Sequence, residues 1–311
     1  MKIVVAGGTG FLGSPLSEAW AEDGHDIRVL TRSLPPGRSQ HDSGTGVPGI
    51  TRVGWIPDGT AGTTTAVVES ANAVINLAGE SIGTGRWTAS RKRALRDSRL
   101  LATRSLAAAI VAASAPPPLF LSGSAIGYYG DTGQADVTEE SSAGTGFFAD
   151  LCVAWEAEAQ RAARPDVRVV VLRTGVVLEQ SGGSLPRMSR PFRFFVGGRL
   201  GSGRQYFSWI HRLDWIEMVR WIVETPGCSG AINATAPEPV TNARLTRALG
   251  HALHRPTLVP APAFALRLVL GGLADTVLAS QRVIPGRALQ AGFHFRYPEI
   301  EIALRGIWGD R

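Results

Sequence analysis

Lysine and cysteine are scarce in this chain of 311 residues, and long hydrophobic runs are missing. Lys2 and Lys92 are the only lysines, so arginine carries almost all of the positive charge behind the net +6. The two cysteines, Cys152 and Cys228, lie far apart and have no CxxC spacing. That argues against a disulfide framework or a zinc site, and Cys152, among apolar neighbours, reads as a buried thiol. No stretch reaches about 18 uninterrupted apolar residues; Arg267 and Asp275 break the most apolar region. A first strand beginning at Lys2 leaves no room for a signal peptide, so a soluble, cytoplasmic protein is expected. Charged residues make up 19%, low for a disordered chain, and apolar residues 44%, enough for a proper core. Arg91-Lys92-Arg93 with Arg96 and Arg99 is the one basic cluster. No groove-reading module accompanies it, so neither nucleic acid nor a membrane is an expected partner.

What is present is concentrated at the amino end. Lys2 to Ala6 is a short apolar run, Gly7, Gly10 and Gly13 follow in GxxGxxG spacing, and residues 14–22 read as a helix. Strand, glycine turn and helix in that order are the context of a dinucleotide fingerprint. Gly7 allows a tight turn, Gly10 removes a Cβ where backbone must approach a pyrophosphate, and Gly13 lets helix and strand pack closely. The helix N-terminus then offers free N–H groups and partial positive charge to phosphates. The alternative is a tight strand–helix turn with no ligand. Residues 25–30 read as the second strand, and Thr31-Arg32 stand where an NAD site usually carries Asp or Glu. A guanidinium there binds a 2′-phosphate that a carboxylate would repel, so NADP(H) is expected over NAD(H). Arg38 offers a second positive contact or a solvated loop charge.

Further along, apolar strands at residues 74–80, 119–124, 167–172 and 230–234 alternate with helical stretches at 88–113, 146–164 and 214–224. A short strand at 51–53 is also legible. This alternation predicts an α/β fold with a doubly wound parallel sheet of about seven strands. Residues 182–203, rich in Gly, Pro, Arg and Phe, contain no clean strand–helix unit. From Pro237 onward the chain reads as helical and proline-rich, with helices at 242–253 and 263–278. The expected division is a nucleotide-binding domain of residues 1–181 and 207–236, with a smaller lid of 182–206 and 237–311. Ligands bind such sheets at the carboxyl edge, under a lid of this kind. The lid arginines Arg187, Arg190, Arg193, Arg199 and Arg204 suit an anionic or sugar-nucleotide substrate, or a merely solvated surface.

Several stretches together resemble the atypical, extended short-chain dehydrogenase/reductases, in their NAD(P)-dependent epimerase branch. They are residues 6–13, Asn76 to Glu80, Ser124 to Gly130, Arg86-Trp87, Asp97-Ser98-Arg99, Trp155-Glu156, Leu172 to Leu178, Trp209-Ile210-His211 with Asp214, and Val283-Ile284-Pro285. The resemblance covers almost the whole chain. It implies a seven-stranded Rossmann sheet with a C-terminal substrate domain. It also implies cofactor contacts at Gly7, Thr9, Gly10, Phe11, Leu12, Gly13, Thr31, Arg32, Leu77, Ala78, Gly79, Arg99, Ser122, Ser124 and Val176. Arg99 departs from the pattern, which usually holds Asn there; a solvated helix charge is the other reading.

Active members use a Tyr-x-x-x-Lys pair, in which lysine lowers the tyrosine pKa. Here Leu151 and Trp155 fall at those places, and no such pair exists anywhere in the chain. Ser124, Tyr128 and Tyr129 are the remaining catalytic candidates, with Arg99 as a charge to depress a tyrosine pKa; the alternative is that both rings only pack. Asp214 is expected to cap a helix, and His211 to hold a structural hydrogen bond or face the cleft. Trp209, Trp215 and Trp221 read as packing residues. Two functions follow from these residues. One is an NADP(H)-dependent oxidoreductase or epimerase acting on a small polar carbonyl compound or sugar nucleotide through a non-standard proton donor. The other is a non-catalytic NADP(H)-binding sensor or regulatory protein. Extended members often dimerise, so a homodimer is compatible with the resemblance.

Overall fold

A computed structural model describes residues 1–33, 41–42, 47–83, 85 and 87–309. Its main sheet contains β1 (Lys2–Ala6), β2 (Asp26–Thr31), β3 (His41–Asp42), β4 (Ile50–Gly54), β5 (Ala73–Asn76), β6 (Leu119–Ala125), β7 (Arg168–Thr174) and β8 (Gly230–Ala234). Their spatial order is β8–β7–β6–β5–β1–β2–β4–β3. All neighbours run parallel except β3, which pairs antiparallel with β4. The order in which strands are added reverses between β1 and β5, which puts a switch point beside the glycine turn. The helices are α1 (Gly13–Glu22), α2 (Thr64–Val68), α3 (Ala89–Ala112), α4 (Phe147–Gln160), α5 (Leu185–Arg193), α6 (Arg212–Glu224), α7 (Asn242–Leu253), α8 (Ala263–Leu270), α9 (Leu273–Leu278), α10 (Gly286–Gln290) and α11 (Ile300–Trp308). Among the described residues no helix is long and apolar enough to cross a membrane.

The strands read as continuous apolar runs because both faces of the sheet are covered. Ile3 and Val5 point into one core with Leu16 and Trp20 of α1 and Ile216 and Met218 of α6. Val4 and Ala6 point into the other, with Leu106 and Ile110 of α3 and Ala159 of α4. This is the two-residue alternation of a strand meeting the three-to-four-residue spacing of helices. Thr88 starts α3 by accepting the Arg91 N–H on its side chain, and Pro116-Pro117-Pro118 lie just beyond the helix end.

A third core joins Leu185 and Phe192 of α5, Leu245 and Leu249 of α7, and Ile300 and Leu304 of α11 around Trp209. Helix α5 lies in the stretch where the sequence showed no regular unit. Pro186 obscures it yet fits its first turn, and Pro191 comes late enough to be tolerated. The single helix expected over 263–278 is two, α8 and α9, divided at Gly271, whose φ is +56°. The carboxyl tail does not stay with the third core. Arg282–Val283 pairs with Asp136–Val137, and Ala288, Phe293 and Phe295 pack into the first core. Residues 237–311 therefore do not form one lid body.

Candidate functional site

The glycine turn is held by contacts that admit no side chain. Gly7 has φ +80°, and a Cβ there would lie 2.7 Å from the Leu77 carbonyl carbon. A Cβ on Gly13 would fall 2.2 Å from the Gly7 carbonyl oxygen, and one on Gly8 2.8 Å from a Val29 methyl. Gly10 differs: a Cβ there meets only the Gly7 oxygen, at 3.2 Å, and otherwise points into open space. Thr9 and Gly10 are exposed. Helix α1 carries no capping side chain and no acid in its first turn, so its amino end is free for an anion. The Phe11 side chain does not face this cradle; its ring lies against Gly182 and Gly183 of the lid connection. Leu12 packs on the first core. What these two residues offer a cofactor is backbone.

At the end of β2, the Thr31 hydroxyl is tied to the Ser33 carbonyl at 3.0 Å. Arg32 is exposed and makes no hydrogen bond or ion pair among the described residues. Arg38 and Arg86 lie outside the described residues. Leu77 continues the β1–β5 pairing, its N–H reaching the Ala6 carbonyl at 2.8 Å. The Ala78 N–H reaches the Asn76 side chain at 3.2 Å. Arg99 is brought against Gly79, where a Cβ would lie 3.2 Å from its side chain. It is buried, donates to the carbonyls of Leu95 and Glu80 at 3.0 Å, and lies over Trp155 at 5.3 Å. Burial lowers its pKa. It forms part of the wall and is not a free helix charge. Ser122 corrects an expectation: it has no exposed surface and accepts from Asn76, so its side chain belongs to the sheet interior.

Across the sheet, the ends of β6, β7 and β8 carry a polar network that sequence reasoning missed. The Ser124 hydroxyl donates to Glu156 at 2.6 Å. Arg173 forks onto both Glu156 oxygens at 2.9 and 2.8 Å and donates to the Tyr129 hydroxyl at 3.0 Å. The Tyr129 hydroxyl donates to Asn233 at 2.8 Å, and the Asn233 N–H reaches buried Glu139 at 2.9 Å. Burial tends to lower the Arg173 pKa, but the hydrogen bonds and charge of Glu156 outweigh it and the net shift is upward. Burial drives Tyr129 up to about 12 despite Arg173. Cys152 is driven to about 11 by burial and then by Glu156. Asparagine and glutamate in separate segments leave no local signal for such a cluster. Trp155-Glu156 and Arg173 were visible only as parts of the resemblance.

Tyr128 is the exception. It is half-buried, the Arg173 guanidinium lies 3.4 Å from its ring centroid, and no hydrogen bond reaches its hydroxyl among the described residues. The cation beside the tyrosines is thus Arg173, not Arg99. The α4 residues standing at the places of the missing pair are buried: Leu151 beside Leu100, and Trp155 with its indole N–H on Thr103 at 2.8 Å. Val176 starts a short strand parallel to Trp209–His211. Arg187 of α5 reaches over to the Gly83 carbonyl, so the lid touches the connection after β5.

His211 holds the structural hydrogen bond expected of it and, in doing so, takes the capping role expected of Asp214. His211 caps α6, its ring accepting the Leu213 N–H at 3.1 Å while stacking on Tyr297. Burial brings its pKa down to about 4. Asp214 sits inside the helix and accepts the backbone N–H groups of Arg296 and Tyr297 at 2.8 and 2.9 Å. Trp209 and Trp215 are fully buried. No group of three or more metal-ligating side chains is found among the described residues.

This arrangement has relatives. A sequence model of the NAD dependent epimerase/dehydratase family matches residues 3–234, and one of a domain of unknown function, DUF1731, matches residues 261–307. The chain is 39% identical over 303 residues to epimerase family protein Mb2239 of Mycobacterium bovis, covering 97% of this chain and 96% of that one. It is 35% identical over 312 residues to epimerase family protein YfhF of Bacillus subtilis, covering 100% and 99%. It resembles the crystal structure of human epimerase family protein SDR39U1 (isoform 2) with NADPH at a TM-score of 0.88 and 34% identity, covering 100% of each chain.

Proposed function

The chain belongs to the NAD dependent epimerase/dehydratase family, and from that premise we propose that it is an NADP(H)-dependent oxidoreductase or epimerase whose proton passes through Tyr128. A dinucleotide held there would supply or accept a hydride. The rest is the work of this chain's residues. The Gly7–Gly13 backbone and the open end of α1 hold the diphosphate, because the close approach at Gly10 is free of a side chain. Arg32 grips the 2′-phosphate with an unpaired guanidinium. Leu77, Ala78 and Gly79 lie against the adenosine half, and Arg99 stiffens their turn from behind. Val176 borders the nicotinamide end. NADPH in the human relative supports this cofactor preference.

The observation that carries the catalytic part is the Arg173 guanidinium 3.4 Å from the Tyr128 ring centroid. A guanidinium on the ring face fixes the ring's orientation and brings to it the positive charge that a lysine brings to the usual pair. Glu156 holds Arg173 in that position and accepts the Ser124 hydroxyl hydrogen bond, leaving the serine oxygen's lone pairs to accept from a substrate. Tyr129 is less suited to the task, since its hydroxyl is occupied on both sides. The substrate class that fits the family is a small polar carbonyl compound or a sugar nucleotide. Labelled NADPH incubated with a panel of both tests the proposal. Label transfer by the wild type should drop about 100-fold or more in Tyr128→Phe, with NADPH affinity unchanged. Unchanged transfer removes Tyr128 from the chemistry.

Burial of Leu151 and Trp155 where an acid and a cation usually stand favours a second reading, a non-catalytic NADP(H) sensor. Absence of transfer to every compound, with tight NADPH binding, is the outcome that reading expects.

A further inference from the structure

The surface of α5, α8 and the loops beside them combines bare apolar side chains with arginines that make no ion pair among the described residues. Phe194, Phe195 and Val196 follow α5 and are 66%, 59% and 53% exposed. Leu258 and Val259, at 82% and 48%, lie beside them, because the Val259 N–H reaches the Gly197 carbonyl at 3.1 Å and Arg255 lies over Phe195 at 4.8 Å. Helix α8 continues the surface with Phe264, Leu268 and Val269, at 74%, 85% and 79%. Among its described residues Ala263, Ala265 and Leu266 are half-buried and none is fully buried, so the face carrying Phe264, Leu268 and Val269 is left open by the described residues. Scattered exposed hydrophobics are ordinary, but eight large ones within residues 194–196 and 258–269 are a concentration.

Charge narrows the occupant. No Asp or Glu occurs between Glu179 and Asp214, or between Glu238 and Asp275. Arg190, Arg193, Arg199 and Arg255 around the patch are exposed and make no ion pair among the described residues; Arg267 alone has one, with Asp275 at its margin. Two such faces brought together would set arginine against arginine, which argues against a second copy of the chain. The side chains belong to a short helix and two loops and stand largely exposed, which suits insertion into a soft interface. Apolar residues flanked by arginines, with Asp275 the one carboxylate paired to them among the described residues, are the composition of a surface that lies on anionic lipid.

We propose that this face docks the protein peripherally on an anionic lipid bilayer, with Phe264 and Leu268 entering the headgroup region and the arginines meeting the lipid charge. The absence of a spanning helix is compatible with such contact. The full chain should sediment with vesicles of phosphatidylcholine and phosphatidylglycerol, far less with phosphatidylcholine alone, and less as salt rises. The double substitution Phe264→Glu with Leu268→Glu should weaken vesicle binding about tenfold or more, and Arg193→Gln or Arg255→Gln about fivefold each. NADPH affinity reports on folding and should stay unchanged in all of them. Sedimentation of the double variant equal to wild type, or none of the wild type, overturns the proposal. So does a vesicle-free dimer that the same substitutions dissociate, since the patch then serves self-association.

Discussion

Around the glycine turn the described residues leave polar groups without a partner: the uncapped end of α1, the bare backbone at Gly10, the guanidinium of Arg32. Across the sheet, Ser124, Glu156, Arg173, Tyr129, Asn233 and Glu139 satisfy one another, and the Tyr128 hydroxyl has no partner among the described residues. The first rim is left open among the described residues. The second already holds its own charges in place, as a preorganised polar site does. Losing a side chain should therefore cost folding on one side and ligand on the other.

The largest effect should come from the saturated rim. Arg173→Met leaves the Glu156 carboxylate buried without its cation and should destabilise the protein by about 3–5 kcal/mol in urea unfolding. Adding Glu156→Gln should recover much of that, because the stranded charge is gone. A loss below about 1 kcal/mol would mean the network is not a stability element and would dissolve the contrast. Gly13→Ala probes the packed part of the other rim. Its methyl would meet the Gly7 oxygen, so a loss of about 1–3 kcal/mol is expected, and NADPH titration should show weaker binding. Gly10→Ala should leave unfolding unchanged and weaken NADPH alone; equal behaviour of the two glycines would refute the distinction between packed and open positions. The smallest change is expected for Arg32→Ala. Stability should move by less than about 0.5 kcal/mol, while the preference for NADPH over NADH falls about tenfold in parallel fluorescence titrations. Equal affinity of the wild type for both coenzymes would remove Arg32 from the site.

The same contrast explains what could be read in advance. The glycine turn, the strand alternation and the place of Arg32 depend on neighbours within a few residues, where steric rules act on short segments. The order of the sheet follows from alternation of strands and helices. The network depends on pairs far apart in sequence: Ser124 with Glu156, Arg173 with Tyr129, Tyr129 with Asn233. Nothing in the local pattern around Glu139 or Asn233 marks them as buried partners. Arg99 and Ser122 were placed by homology of position, yet whether a side chain there faces ligand or wall depends on Gly79, Trp155 and Asn76. Asp214 shows the same limit. Its spacing from His211 suggested a cap, but its partners are backbone groups of residues 296 and 297.

The path of the carboxyl tail has a consequence for dissecting the protein. Glu139 accepts the Arg287 N–H at 3.3 Å and bonds β8 through Asn233, while Ala288, Phe293 and Phe295 fill the core beneath β1 and α6. The polypeptide thus leaves the sheet, builds the third core in part, returns to the sheet, and leaves again to finish with α11. No one cleavage point yields two autonomous folding units. A fragment ending before residue 282 would expose hydrophobic surface on the nucleotide-binding half, and the excised remainder would carry plugs belonging to a body it no longer has.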